Sequence, residues 1–139
     1  MRKDDCIFCK IAAGEIPSST VYEDQDFRAI LDLGPASKGH TLILPKEHAD
    51  NVMDLEESVA AKVLPLASKL GKAMMNGLKC DGFNIIQNNG EAAGQTVMHF
   101  HVHVIPRTNN DGCVPMWTPT KDEDMDKTAQ TIKDALAKN

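Results

Sequence analysis

Seven residues in the second half of the chain, His99-Phe100-His101-Val102-His103-Val104-Ile105, set an imidazole at every second position. The residues between them are β-branched or aromatic, which predicts a strand. Successive side chains on a strand point to opposite faces. His99, His101 and His103 therefore line one face as an accessible row, while Phe100, Val102 and Val104 line the other and suit a core. Alternate residues on a strand sit roughly 6.5–7 Å apart, which puts His99 and His103 about 13 Å apart at the backbone. Zinc needs its nitrogens at about 2 Å, so the three cannot converge on one ion, although two neighbours could. Burying all three would require three sets of polar partners. The remaining reading is a reactive imidazole flanked by two helpers, since imidazole serves as nucleophile and acid–base group near neutral pH.

The cysteines are the second set with chemistry to offer: Cys6, Cys9, Cys80 and Cys113. Cys80 and Cys113 stand alone in the sequence and read as small apolar residues, buried or half-buried. Cys6 and Cys9 form a C-x-x-C pair, a spacing open to redox chemistry, metal binding or neither.

Composition narrows the partners. A chain of 139 residues is one domain with room for a real core, and its 42% hydrophobic content is ordinary for a soluble protein. No apolar stretch approaches membrane-spanning length. The start, Met-Arg-Lys-Asp-Asp-Cys, leads into no signal-type apolar run, so the expected location is the cytoplasm, where a disulfide framework is not expected. The net charge of −5 argues against general nucleic-acid binding, and an anionic substrate must be held by local donors.

The elements that must position these residues follow from pattern. Asp4-Asp5 is placed to cap a short helix over roughly Cys6 to Ala13, closed by Gly14 and stopped by Pro17, with Cys6 and Cys9 on one face. Thr20 to Glu23 and Phe27 to Asp32 read as strands around the turn Asp24-Gln25-Asp26, and His40 to Leu44 as a third strand ended by Pro45. Asp54 is placed to cap a helix carrying Val59, Val63, Leu66, Leu70 and Met74, with a kink expected at Pro65. Phe83 to Gln87 is a fourth strand. The polar loop from Asn88 to Thr96, with glycines at 90 and 94, then leads into the histidine strand. Met125, Ala129, Ile132 and Leu136 mark a C-terminal amphipathic helix whose stripe reads as ordinary core. Antiparallel strands with helices on one side make an α+β domain.

The run from His99 to Ile105 resembles the His-φ-His-φ-His-φ-φ signature of the histidine triad (HIT) family, where φ is apolar. Gly94-Gln95-Thr96-Val97 is similar to that family's Gly-Gln-Ser-Val, with Thr96 in place of serine. Cys6 to Ile11, continuing through Gly14-Glu15-Ile16-Pro17, resembles the N-terminus of the Hint-like branch. Asp32, Gly39-His40 and Pro45-Lys46-Glu47-His48 fall where that branch has its own Asp, His and Pro-Lys-x-His. The likeness covers roughly residues 6–107 of a single domain spanning 1–139. The tail, 108–139, matches less well.

The resemblance implies a five-stranded antiparallel sheet with two main helices, and a homodimer whose sheets join. It implies hydrolysis at the α-phosphate of purine nucleoside (AMP or GMP) phosphoramidates through a nucleotidyl-histidine intermediate. On that basis His101 is the nucleophile, His103 contacts the phosphate and protonates the leaving amine, and His40 stands behind them. Thr96 keeps the hydroxyl of the usual serine. Asn88 and Gly94 supply polar and backbone donors to the phosphate, Gln95 belongs to the nucleotide-binding set, and Asp32 accepts from the ribose hydroxyls. Ile7, Phe8, Ile11, Ile16 and Leu33 form the apolar slot for the base. In zinc-carrying bacterial relatives two N-terminal cysteines, a histidine and the first triad histidine hold the metal. Here these are Cys6, Cys9, His48 and His99, a structural Cys₂His₂ zinc set with no open position. The C-terminal segment of that branch reaches the partner's active site, which directs attention to Pro115-Met116-Trp117. Two other functions stay open: a dinucleoside polyphosphate hydrolase using the same triad, and a zinc-stabilised nucleotide-binding or scaffold protein with incidental catalysis.

Overall fold

The histidine stretch lies next to the middle of a five-stranded antiparallel sheet in a computed structural model that describes residues 2–139. The strands are β1 (Thr20–Glu23), β2 (Phe27–Leu31), β3 (Thr41–Pro45), β4 (Gly82–Gln87) and β5 (Val102–Arg107), in the order β1-β2-β3-β5-β4. Four helices accompany them: α1 (Ile7–Ala12), α2 (Glu57–Ala60), α3 (Val63–Gly77) and α4 (Met125–Leu136). The α+β class is as expected, but helices pack on both faces of the sheet and not on one side alone. Among the described residues, no helix is long and apolar enough to cross a membrane.

The two faces of the sheet do different work. On one, Phe27, Ala29, Ile43, Val102 and Val104 pack against Val63, Leu66, Ala67, Leu70 and Met74 of α3 to make the main core. On the other, Ile30, Leu42 and Leu44 pack against Phe8, Ile11 and Ala12 of α1. Central β3 is buried along its whole length. Register assigns His103 to a face: it stands opposite Leu42 on β3 and Ile86 on β4. Directly opposed residues share a face, so His103 lies on the α1 side, while Val102 and Val104 fill the α3 side as the alternation predicts.

Several expectations need correction. β5 begins at Val102, so His99 and His101 precede the strand. The cause is a long-range contact: β3 pairs with β5 only as far as Ile43 opposite Val102, and Phe100 N–H donates instead to Ala49 O at 2.7 Å. The turn buries the histidines instead of exposing them as a row; His99 is 0% and His101 6% exposed. The first helix is capped by Cys6, whose sulfur accepts from Cys9 N–H, and not by Asp4-Asp5. The helical segment after residue 54 is split, α2 ending at Ala60 and α3 starting at Val63. Pro65 then falls in the first turn of α3, where the missing N–H costs no intrahelical bond and no kink is needed. Asp54 caps neither piece: the residue before α2 is Glu56, and no side chain bonds there. Finally, α4 forms over the expected residues, but none of them is buried in the single chain. Its stripe of Met125, Ile132 and Leu136 is exposed rather than core.

Candidate functional site

Two clusters of histidine chemistry flank the residues that enter β5. The first joins Cys6 at the start of α1, Cys9 within it, His48 just past β3, and His99. The ligand atoms of these four residues all lie within 4.8 Å of one another. Cys6 Sγ and Cys9 Sγ each lie 3.4 Å from His99 Nδ1, and Cys9 Sγ lies 3.3 Å from His48 Nδ1. Metal–sulfur and metal–nitrogen bonds of zinc length in a tetrahedron put S and N about 3.5 Å apart, so these are the edges a zinc site requires. Both rings present the correct atom. His99 Nε2–H donates to Pro45 O at 2.9 Å and His48 Nε2–H to Asp50 Oδ1 at 2.7 Å, which leaves each Nδ1 lone pair facing the thiols. Burial, above all, lowers the pKa of His99 to about 4, so the ring stays neutral at neutral pH. The sulfurs also receive backbone donors, Lys3 N–H on Cys9 and Cys9 N–H on Cys6, as thiolates prefer. The donor set therefore fits a closed Cys₂His₂ metal. Asp50, two residues after His48, is the orienting residue that sequence reasoning missed.

The second cluster contains His40, His101, His103 and Asp32. His101 Nδ1–H donates to the carbonyl of His99 at 2.8 Å, so in the neutral ring Nε2 is left with an unshared lone pair. A directional chain fixes the other two rings. Ala36 N–H donates to His40 Nδ1 at 2.9 Å, so the proton of His40 sits on Nε2. That Nε2–H donates to His103 Nδ1 at 2.9 Å, which places the proton of His103 on its Nε2. Asp32 Oδ2 lies 3.6 Å from His40 Nε2, and Asp32 Oδ1 accepts from Gly34 N–H at 2.8 Å. Burial lowers the pKa of His40 despite this carboxylate. Burial, His101 and His40 together lower that of His103 to about 4. The outcome is one imidazole offering a lone pair beside another offering an N–H, their ring centroids 5.0 Å apart. That pair suits attack on an electrophile with a hydrogen bond donated to its oxygen or leaving group.

The remaining sequence candidates divide. Phe8 packs T-shaped against His101, ring centroids 5.1 Å apart, and Ile11 packs beside it over the α1 side of the sheet. Ile16 is half-buried and Ile7 half-exposed on the same N-terminal segment. Leu33 is 99% exposed, so the single chain does not gather it into an apolar slot. Gly94 adopts φ +97°, a left-handed turn that lets the loop reverse against the half-buried Asn88 side chain. Thr96 is exposed and shares a cavity of about 390 Å³ with Cys6, His48 and Asp50. Gln95 departs from the expected role. It is 2% exposed, and its amide donates to Asp50 O and Val97 O while its carbonyl accepts from Gly90 N–H. A side chain so engaged braces the loop and has nothing left for a phosphate. Cys80 is buried and Cys113 half-buried, as their isolation suggested.

Known proteins are similar to this chain in sequence and fold. The HIT domain family matches residues 13–110. Adenosine 5'-monophosphoramidase HNT1 of Saccharomyces cerevisiae is 41% identical over 134 residues, covering 96% of this chain and 82% of its own. The crystal structure of a protein from Streptococcus mutans UA159 superposes with a TM-score of 0.88 at 43% identity, covering 99% of this chain and 87% of that one. A zinc-bound histidine triad family protein from Mycobacterium smegmatis superposes with a TM-score of 0.75 at 37% identity, covering 96% and 94%.

Proposed function

This chain belongs to the histidine triad family and is a nucleotide hydrolase of that family, and we propose that its reaction is hydrolysis of purine nucleoside 5'-phosphoramidates, the AMP– or GMP–amine class. The observation that carries this reading is the tautomer lock: His101 keeps a free Nε2 lone pair because its other nitrogen is held by the His99 carbonyl. In the proposed reaction that lone pair attacks phosphorus. The P–N bond to the amine breaks while His103 Nε2–H hydrogen-bonds the reacting group, and the amine takes its proton from solvent. Water then attacks the nucleotidyl–His101 intermediate: its oxygen bonds phosphorus, the bond from phosphorus to His101 breaks, and its proton passes to solvent, leaving free nucleotide and neutral imidazole. Little covalent help is needed beyond position and charge neutralisation. His40 acts as a positioning residue, since its Nε2–H holds His103 in the donating tautomer.

In this reading Phe8, Ile11, Ile16 and Ile7 contact the base, and Asp32 accepts from the ribose hydroxyls with its less engaged oxygen. The Gly94 turn, Asn88 and Thr96 hold the phosphate, with Gln95 bracing their loop. Cys6, Cys9, His48 and His99 would hold zinc, which would cross-link the segments that carry them without offering a reactive position. The yeast relative's named activity on an adenosine monophosphoramidate supports the substrate class. Incubation with AMP-lysine, adenosine phosphoramidate and diadenosine polyphosphates tests it. We expect kcat/KM for the phosphoramidates to exceed that for the polyphosphates by about tenfold or more. A strong preference for polyphosphates would reassign the substrate, and no turnover of any of them would leave a binding module.

The homodimer belongs to the same proposal. Strand β4 is a free edge of the sheet, and Ile85 on it is 41% exposed beside Leu64 of α3, 64% exposed. Pairing two β4 edges would satisfy their open backbone groups and cover this apolar strip. Sedimentation at micromolar concentration is expected to give a dimer for the native chain and a folded monomer for Ile85→Asp. A monomeric native chain would count against the joined sheet.

A further inference from the structure

The metal cluster and the nucleophile share their supports. Helix α1 is six residues long, far too short to hold its shape unaided. Cys9 on α1 faces His48 and His99, while the preceding Phe8 packs T-shaped against His101 and His99, with ring centroids 5.1 and 6.0 Å apart. His99 faces both ways. Its imidazole joins the thiols, and its carbonyl holds the Nδ1–H that defines the nucleophile. A second bridge runs through Gln95, which ties Gly90 of the loop to the backbone of Asp50, whose carboxylate orients His48.

We propose that metal binding at the Cys₂His₂ cluster and nucleotide binding at the His101 pocket are thermodynamically coupled, each strengthening the other, with Phe8 and the His99 peptide as the coupling elements. The proposal rests on the phosphoramidase reading and on zinc filling the cluster. Four protein ligands leave the ion no open position, so the coupling does not come from metal touching nucleotide. It comes from ordering. With the thiols and imidazoles held, α1 is fixed and Phe8 is already in place against His101. With the metal absent, nucleotide must order α1 as it binds and its affinity falls accordingly. Reciprocity requires the same factor in both directions, expected here at about five- to thirty-fold.

Zinc affinity is measured by competition with a chromophoric chelator, with and without saturating AMP. AMP affinity is measured by calorimetry on zinc-loaded and zinc-stripped protein. The expected result is two matching ratios, both above about fivefold. Competition starts from zinc-loaded protein, so it reports the ratio even where the stripped chain is poorly folded. Phe8→Leu keeps apolar bulk without the aromatic ring; it loses a base contact and is expected to bind AMP more weakly in both forms, but with the ratio between zinc-loaded and zinc-stripped protein reduced to within about twofold of one. Independent binding of zinc and AMP would overturn the coupling while the functional reading stood. No AMP binding would remove the functional reading and the coupling together, and protein that takes up no zinc would overturn the coupling alone. A ratio undiminished in Phe8→Leu would mean that the linkage runs through global folding, which overturns the assigned route.

Discussion

A His101→Ala protein is expected to bind AMP within a few-fold of the native affinity and to hydrolyse AMP-lysine at least about 10³-fold more slowly. The size of the effect follows from the hydrogen bonds of the site. His99 spends its Nε2–H on Pro45 O and its Nδ1 on the thiol cluster. His40 accepts on Nδ1 and donates from Nε2. His103 accepts on Nδ1 and retains only an N–H. Removing His101 therefore takes away the lone pair that these partners leave free in the second cluster, and no neighbouring ring can substitute without breaking its own bonds. Position and phosphate contacts persist, which is why nucleotide affinity is expected to hold. Rapid quenching with mass analysis should find a nucleotidyl adduct on the native chain and none on the variant. Turnover retained within about tenfold would assign the attack to another group.

How far this chemistry could be read in advance varies with the kind of interaction. Alternation around Val102, His103 and Val104 gave the correct faces, because a period of two survives wherever the strand is regular. It misled at His99 and His101, where a long-range bond from Phe100 to Ala49 O pulls the chain off the sheet. Local pattern carries no trace of a partner fifty residues away. The same limit explains Gln95, whose type suggests a ligand donor but whose partners at Gly90, Asp50 and Val97 become visible only once the loop is folded. The grouping of Cys6, Cys9, His48 and His99 came from likeness to a family, since the C-x-x-C spacing alone left three readings open. The period of α4 was legible and its environment was not: a stripe of Met125, Ile132 and Leu136 has the same periodicity whether it meets a core or solvent.

The second large effect concerns the metal. Cys6→Ser/Cys9→Ser is expected to lose zinc, lower stability by about 3 kcal/mol and lower Tm by roughly 10 °C for a chain of this size. The reason lies in what the ion cross-links. Cys6 and Cys9 belong to the N-terminal helix, His48 follows β3, and His99 leads into β5. Without the ion, α1 is left with the Arg28 bond to Ala12 O and the packing of Phe8, Ile11 and Ala12. The buried His99 Nδ1 then faces two hydroxyls on shorter side chains than the thiols it met, a poorer match for a 0% exposed ring. Catalysis should respond differently from stability. A metal with four protein ligands has no position for substrate, so kcat at saturating substrate is expected to stay within a few-fold of native while KM rises with the weakened nucleotide site. Calorimetric melting, metal analysis and steady-state kinetics on one preparation separate these effects. A collapse of kcat with KM unchanged would mean that the ion acts on the chemical step, contrary to the closed coordination proposed for it. An unchanged Tm would mean that α1 is held by packing alone.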